Sequence, residues 1–154
     1  MCAVVSIANR QVIINQKQEE KEMKYFTVAE FVRSETADRL AIDNRLPKEL
    51  LPNVQALISN VLDPLREAYG KPITINSGYR SPALNKAVKG SATSDHMKGG
   101  AADITGGSLK ENKRLFYLIQ ELGLPFKQLI DEKNFAWVHV SYQKGANRKQ
   151  ILAL

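Results

Sequence analysis

The stretch that decides the fold and the chemistry of this chain is Ser94-Asp95-His96-Met97-Lys98-Gly99-Gly100-Ala101-Ala102-Asp103-Ile104. His96 and Asp103 lie seven positions apart, on either side of a glycine pair. A loop that turns at the glycines and then enters an apolar strand can direct both side chains to one point. This spacing permits the two residues to bind one metal ion; the alternative is a surface histidine and an unrelated strand aspartate.

The second histidine of the chain lies in the segment Ala136-Trp137-Val138-His139-Val140-Ser141. The alternation in this segment predicts a β-strand that carries His139 on one face. Two imidazoles and one carboxylate leave a fourth position on a Zn²⁺ ion open for water, which is typical of catalytic rather than structural zinc. The alternative for His139 is a half-buried imidazole without a metal.

Three blocks of sequence carry a resemblance to a known family: Ile75-Asn76-Ser77-Gly78-Tyr79-Arg80-Ser81, Ser94-x-His96-x-x-Gly99-x-Ala101-x-Asp103, and Trp137-Val138-His139-Val140. From about Tyr25 to its end, the chain resembles the zinc D-alanyl-D-alanine carboxypeptidases of bacterial cell walls, a family that includes vancomycin-resistance dipeptidases and phage L-alanyl-D-glutamate endolysins. The resemblance implies that His96, Asp103 and His139 hold one Zn²⁺. It also implies hydrolysis of peptide bonds in peptidoglycan.

The general base departs from the family pattern. Relatives often carry a carboxylate or histidine three residues before the last zinc histidine, where this chain has Ala136. Glu132 and Asp131 are the candidate replacements. A two-residue turn would pair Glu132 with Phe135 and place its side chain on the face of His139, whereas a three-residue turn would favour Asp131. We favour Glu132, because related sequences often have Glu at the end of a comparable Gln-Leu-Ile segment.

Two further residues are candidates for contacts with the substrate. Arg80 follows a predicted strand and a Ser-Gly-Tyr turn, so its guanidinium can reach a substrate carboxylate or a developing oxyanion. The alternative for Arg80 is a surface ion pair. Ser94, two residues before His96, can hydrogen-bond the substrate peptide or orient the loop. We therefore predict Arg80 as catalytic and substrate-binding, and Ser94 as substrate-binding.

Local patterns predict an α+β fold, with helices packed on a small, largely antiparallel sheet. Thr27 and Ser108 each precede a glutamate by three residues, the pattern of a helix-capping box. The expected helices begin near Thr27 and Ser34 and cover residues 47–69, 82–88 and 108–122. The expected strands cover residues 73–76, 101–104, 127–131 and 135–141, with an edge strand within 148–154.

Composition limits the classes of function that the chain can have. A length of 154 residues with 44% hydrophobic residues fits one domain with a single core. The apolar runs are shorter than the roughly 20 residues of a membrane span, and the single cysteine, Cys2, cannot form an internal disulfide. The net charge of +6 favours anionic surroundings. No nucleic-acid-binding motif accompanies it, so we expect no nucleic-acid partner.

We expect residues 1–23 to form a flexible N-terminal extension and residues 24–154 to form the zinc peptidase domain. The extension has no basic region before a long apolar run, so a secretory signal is not expected. We therefore expect a monomer that is made in the cytoplasm and reaches the cell wall by phage-type release. The expected activity is that of a phage or prophage endopeptidase. The alternatives are a D-Ala-D-Ala carboxypeptidase and a non-catalytic wall-binding or phage structural module.

Overall fold

The sheet of this protein has five strands in the order β1-β2-β4-β3-β5. Neighbouring strands run antiparallel, except for β3 and β5, which run parallel. The computed structural model describes residues 23–154, so the predicted extension lies almost entirely outside the described residues. The strands are β1 (Thr74–Ser77), β2 (Ala101–Thr105), β3 (Gln128–Glu132), β4 (Trp137–Ser141) and β5 (Gln150–Ala153). The predicted α+β fold and its edge strand are confirmed.

The α-helices are α1 (Val28–Val32), α2 (Glu35–Arg39), α3 (Leu51–Leu57), α4 (Asp63–Tyr69), α5 (Pro82–Ala87) and α6 (Leu109–Glu121). Thr27 and Glu30 form the predicted capping box at α1. At α6, Ser108 Oγ accepts from the Glu111 N–H as predicted. The Glu111 carboxylate instead accepts hydrogen bonds from Tyr69 and Lys71, because the tertiary fold brings both side chains to it.

The predicted helix over residues 47–69 forms as one continuous helical segment, but its hydrogen-bonding pattern changes along its length. A 3₁₀ turn at Lys48–Leu50 leads into α3, and a π-helical turn at Ile58–Leu62 joins α3 to α4. Pro64 follows this π turn and has no N–H to continue the α-helical bonding, so the widened turn accommodates the break. Gly70 ends the helix with a φ of 73°, a conformation that glycine adopts without strain.

The core lies between this helical segment and one face of the sheet. The strand residues that enter it include Ala102, Ile104, Val138 and Val140, all fully buried. Each fully buried large aliphatic side chain stabilises the fold by about 1.5–3 kcal/mol. Side chains alternate between the faces of a strand, so Asp103 and His139 are directed to the opposite face. The core packing thereby fixes which residues face the candidate site.

The predicted two-residue or three-residue turn between β3 and β4 is wrong. Glu132 pairs with Trp137, which leaves a connection of four residues, 133–136. The residues with positive φ in it are Lys133 (49°), Asn134 (55°) and Phe135 (62°). These three successive residues in left-handed conformation make the connection longer than a tight hairpin turn. The Phe135 ring packs with its centroid 5.5 Å from that of Phe116. Contact with the core therefore overrides the short turn.

No helix within residues 23–154 is long and apolar enough to cross a membrane.

Candidate metal centre

The fold brings together the three predicted metal ligands. One potential ligand atom from each of His96, Asp103 and His139 lies within 4.8 Å of the other two. Asp103 Oδ1 is 3.0 Å from His139 Nδ1 and 3.3 Å from His96 Nε2. In a tetrahedral zinc site, bond lengths near 2.1 Å separate neighbouring ligand atoms by about 3.4 Å. The donor set and its spacing therefore fit one Zn²⁺ ion.

Each ligand is positioned by a different element. Asp103 and His139 are direct partners in the register of β2 and β4. His96 lies in a 3₁₀ turn at Asp95–Lys98, where Ser94 Oγ accepts from the His96 N–H at 3.2 Å. Gly99 ends this turn with a φ of 72° and allows the chain to reverse into β2. The glycine pair thus has the role that its position in the sequence indicated.

The tautomer of His96 is set by a backbone carbonyl. Its Nδ1 lies 2.7 Å from Gly78 O, and a carbonyl oxygen can only accept, so Nδ1 carries the hydrogen. The lone pair of Nε2 is then free on the side of Asp103. Hydrogen bonds of this kind hold metal-binding imidazoles in position and raise their basicity. His96 is therefore prepared to bind a metal through Nε2.

Asp103 is held as a carboxylate although it is only 8% exposed. Burial acts to raise its pKa, but the hydrogen bond with His139 and the neighbouring imidazole of His96 outweigh burial and hold the pKa of Asp103 well below its usual range. Arg80 donates from its NH2 group to Asp103 Oδ2 at 3.3 Å. The second carboxylate oxygen, Oδ1, faces both histidines, so Asp103 can offer it to a metal.

A cleft of about 360 Å³ opens beside these ligands. Other residues that line it are Arg80, Ser94, Ile130, Glu132 and Trp137. The cleft lies on the face of the sheet away from the helical core. It therefore gives a substrate direct access to the three ligands.

The structure places Glu132, and not Asp131, in this cleft. Glu132 pairs with Trp137, and His139 lies two residues after Trp137 on the same strand. Because side chains alternate between faces, Glu132 shares a sheet face with His139, as it would with a two-residue turn. Asp131 pairs with Val138, and its Oδ1 accepts from the Phe135 N–H. Burial, followed by the negative charge of Asp103, raises the pKa of Glu132.

Arg80 is largely buried rather than part of a surface ion pair. Its side chain is 16% exposed. Besides its bond to Asp103, it donates from Nε to Ser77 Oγ at 3.1 Å and from Nη1 to Asn85 Oδ1 at 3.4 Å. These contacts hold the guanidinium at the wall of the cleft and also orient Asp103. The second of these roles was not predicted from the sequence.

Asn44, which was not predicted from the sequence, fixes the turn that leads to Arg80. Its Nδ2 donates to Tyr79 O at 3.0 Å and to Val32 O at 2.9 Å, and its Oδ1 accepts from the Ser81 N–H at 2.7 Å. The same turn supplies Gly78 O to His96. Because these partners are 12 to 37 positions away in sequence, no local pattern marks Asn44.

A second missed contact joins the His96 turn to the sheet. Lys127 Nζ lies 2.9 Å and 3.0 Å from the two carboxylate oxygens of Asp95, and both side chains are mostly buried. Asp95 precedes His96 directly, so the ion pair anchors the turn that carries this ligand. Nothing in the spacing of Asp95 and Lys127 indicates that they meet.

The profile of the family described as peptidase M15 matches residues 24–141. The chain belongs to the peptidase M15 family. A similar curated protein is the zinc D-Ala-D-Ala carboxypeptidase of Streptomyces albus G, with 50% identity over 48 residues. That match covers 30% of this chain and 19% of the relative, so the chain spans about a fifth of the relative's length. The resemblance carried by the three sequence blocks is confirmed, and the predicted zinc cofactor agrees with the donor set.

Proposed function

We propose that this M15 peptidase is a zinc enzyme that hydrolyses peptide bonds in the stem peptides of peptidoglycan. The observation that carries the proposal is the convergence of His96, Asp103 and His139 on one face of the sheet, with Glu132 in the same cleft. Family membership supports peptide hydrolysis, and the name of the Streptomyces relative supports zinc and a cell-wall peptide substrate.

His96, Asp103 and His139 would hold the zinc ion. When bound, such an ion activates water as a nucleophile and polarises the scissile carbonyl. The protein keeps these ligands ready for the metal: Gly78 O directs His96 Nε2, and Arg80 holds Asp103 Oδ2. Three protein ligands leave room in the coordination shell for the reaction, as in other catalytic zinc sites.

Glu132 serves as the general base in this proposal. Its carboxylate accepts the proton of the attacking water and then passes it to the nitrogen of the leaving amine. Burial and the nearby charge of Asp103 raise its pKa. A higher pKa makes the carboxylate a stronger proton acceptor at neutral pH. Ala136 therefore does not imply an inactive site, because Glu132 reaches the same cleft from the neighbouring strand.

Arg80 and Ser94, which both line the cleft, provide substrate contacts. Arg80 suits a carboxylate or the carbonyl oxygen of the scissile peptide, because a guanidinium presents several N–H donors in a rigid plane. The Ser94 hydroxyl accepts from the His96 N–H and keeps its own hydrogen for a peptide carbonyl. Both residues then orient the scissile bond over the metal ligands.

Among the bonds of the stem peptide, we favour an internal one. A lytic enzyme of phage or prophage type must open the network, and removal of a terminal D-Ala leaves existing cross-links intact. Such an enzyme would act as a monomer on the wall after phage-type release. The second candidate is a D-Ala-D-Ala carboxypeptidase, which the name of the Streptomyces relative favours.

Mass spectrometry of purified muropeptides incubated with the zinc-loaded protein tests this proposal. We expect shortened stems or separated dimers as products. Release of free D-Ala alone would replace the endopeptidase proposal with the carboxypeptidase. No product from any muropeptide, with zinc bound, would favour a non-catalytic wall-binding or phage structural module.

A further inference from the structure

A second and larger groove adjoins the metal cleft. It has a volume of about 680 Å³ and lies between β1, the α1–α2 connection and α5, and we call it the β1-edge groove. Arg33 and Thr36 line it on one side, and Leu84 and Val88 line it on another. Arg80 lines both this groove and the metal cleft, so its side chain forms a wall that the two spaces share.

The floor of the β1-edge groove is the outer edge of the sheet. Within residues 23–154, β1 is the first strand in the sheet order and pairs with β2 alone. All four residues, Thr74–Ser77, line the groove although their side chains alternate between faces. Ile75 lines it while only 3% exposed. The groove therefore exposes the backbone edge of β1 rather than one row of side chains.

The ladder indicates which backbone groups of β1 face the groove. The Tyr142 N–H donates to Gly100 O, and bonded pairs alternate along antiparallel strands, so Ile104 directs its peptide groups to β4. Ile75 is the partner of Ile104 on the other side. Its N–H and C=O consequently point away from β2, into the groove. An extended peptide could hydrogen-bond with both groups, as in strand addition.

The walls indicate the charge and length of such a peptide. Arg33 and Arg80 line the groove with Glu35, and Arg80 is already paired with Asp103. The exposed guanidinium of Arg33 is therefore the group that a carboxylate on the ligand would meet. Four strand residues span roughly 13 Å, about the length of a tetrapeptide in extended form. A dipeptide bound at the metal would not reach the far end of this groove.

We propose that the β1-edge groove binds an extended, carboxylate-bearing arm of the peptide substrate beyond the scissile bond. This inference rests on the proposed function, because the arm belongs to the peptide that is hydrolysed in the metal cleft. Backbone hydrogen bonds to Ile75 supply affinity that is independent of side chains, and Arg33 selects for the carboxylate. The protein thereby prefers substrates several residues long over D-Ala-D-Ala dipeptides.

Amide hydrogen exchange of the zinc-loaded, full-length Glu132→Gln variant tests the site without turnover. The probe is L-Ala-γ-D-Glu-L-Lys-D-Ala-D-Ala, whose γ-linked glutamate leaves a free α-carboxylate. At saturation, we expect exchange of the Ile75 amide to slow by about tenfold or more, as for a newly hydrogen-bonded group. The dipeptide D-Ala-D-Ala should leave Ile75 unchanged.

Charge variants in the same background test the carboxylate. Arg33→Glu should weaken pentapeptide binding by about tenfold, which corresponds to the loss of one charge-assisted hydrogen bond. Amidation of the glutamate α-carboxylate should weaken binding to the parent by a similar factor. Arg39→Glu is the matched control, because Arg39 is exposed on α2 but outside the groove, and it should change binding by less than about twofold.

The outcomes separate this inference from the proposed function. If the pentapeptide perturbs the amides of Ser94 and Trp137 but not Ile75, the groove proposal is wrong and the peptidase proposal stands. Equal binding by the Arg33→Glu variant also contradicts the groove proposal. If the peptide binds at neither place and the parent enzyme releases nothing from muropeptides, both proposals are wrong.

Discussion

Replacement of Asn44 by alanine tests whether a buried amide distant in sequence supports the metal site. The side chain satisfies the Ser81 N–H and the Tyr79 carbonyl, and Asn44 itself is 8% exposed. Asn44→Ala leaves these two groups without their partner. At about 1–3 kcal/mol for each unsatisfied buried group, the free energy of unfolding should fall by about 2–6 kcal/mol.

The same variant should bind zinc more weakly, because the turn that Asn44 holds supplies Gly78 O to His96. Loss of such an outer contact typically weakens metal affinity by about 10-fold to 100-fold. Urea unfolding of the metal-free protein and competitive zinc titration measure the two effects separately. Asn44→Asp, which keeps the acceptor for Ser81, should lie between the parent and Asn44→Ala.

Asn60→Ala is the matched control, since Asn60 is exposed and its amide donates only to Ala56 O within the same helical segment. It should change stability by less than about 0.5 kcal/mol. If Asn44→Ala behaved like this control in both assays, the turn would not depend on Asn44 and the reasoning would be refuted.

Three further predictions concern the ligands and the base. His139→Ala should purify without bound zinc, as measured by metal analysis, and retention of the parent zinc content would contradict the ligand set. Glu132→Gln should keep zinc but lose about 10²-fold to 10⁴-fold in turnover of muropeptides, the range for a general base. Asp131→Asn keeps the acceptor for the Phe135 N–H and should lose much less; the reverse order would assign the base to Asp131. Finally, burial and the charge of Asp103 raise the pKa of Glu132 in the metal-free protein, so its carboxylate should take up a proton at a higher pH than an exposed glutamate does, as measured by NMR titration. Protonation at the ordinary pKa of glutamate would contradict this environment for Glu132.

The sequence predicted those parts of the fold that depend on local patterns. The alternation around His139 and the apolar segment around Asp103 indicated strands, and the register of β2 and β4 then makes the two ligands neighbours. The capping residues Thr27 and Ser34 marked helix starts that the structure retains. The metal centre was predictable because two of its ligands lie within one short segment and the three sequence blocks resemble a family of zinc peptidases.

Contacts that depend on tertiary packing could not be predicted in this way. The β3–β4 connection is longer than expected because Phe135 packs on Phe116, a contact that turn statistics do not contain. Asn44 acts on groups up to 37 positions away. Arg80 was predicted for the substrate, yet in the structure its closest charged partner is Asp103. Each of these depends on which distant segments the core brings together.

The most direct test of the account is the zinc dependence of peptide-bond hydrolysis in purified peptidoglycan. New amino groups released from the wall are counted for the zinc-loaded protein, for the same protein stripped by a chelator, and after one equivalent of zinc is restored. We expect release by the loaded and restored protein, none above background by the stripped protein, and release slowed by about 10²-fold to 10⁴-fold for zinc-loaded Glu132→Gln. Equal release with and without zinc, or none with one zinc bound, would contradict the account.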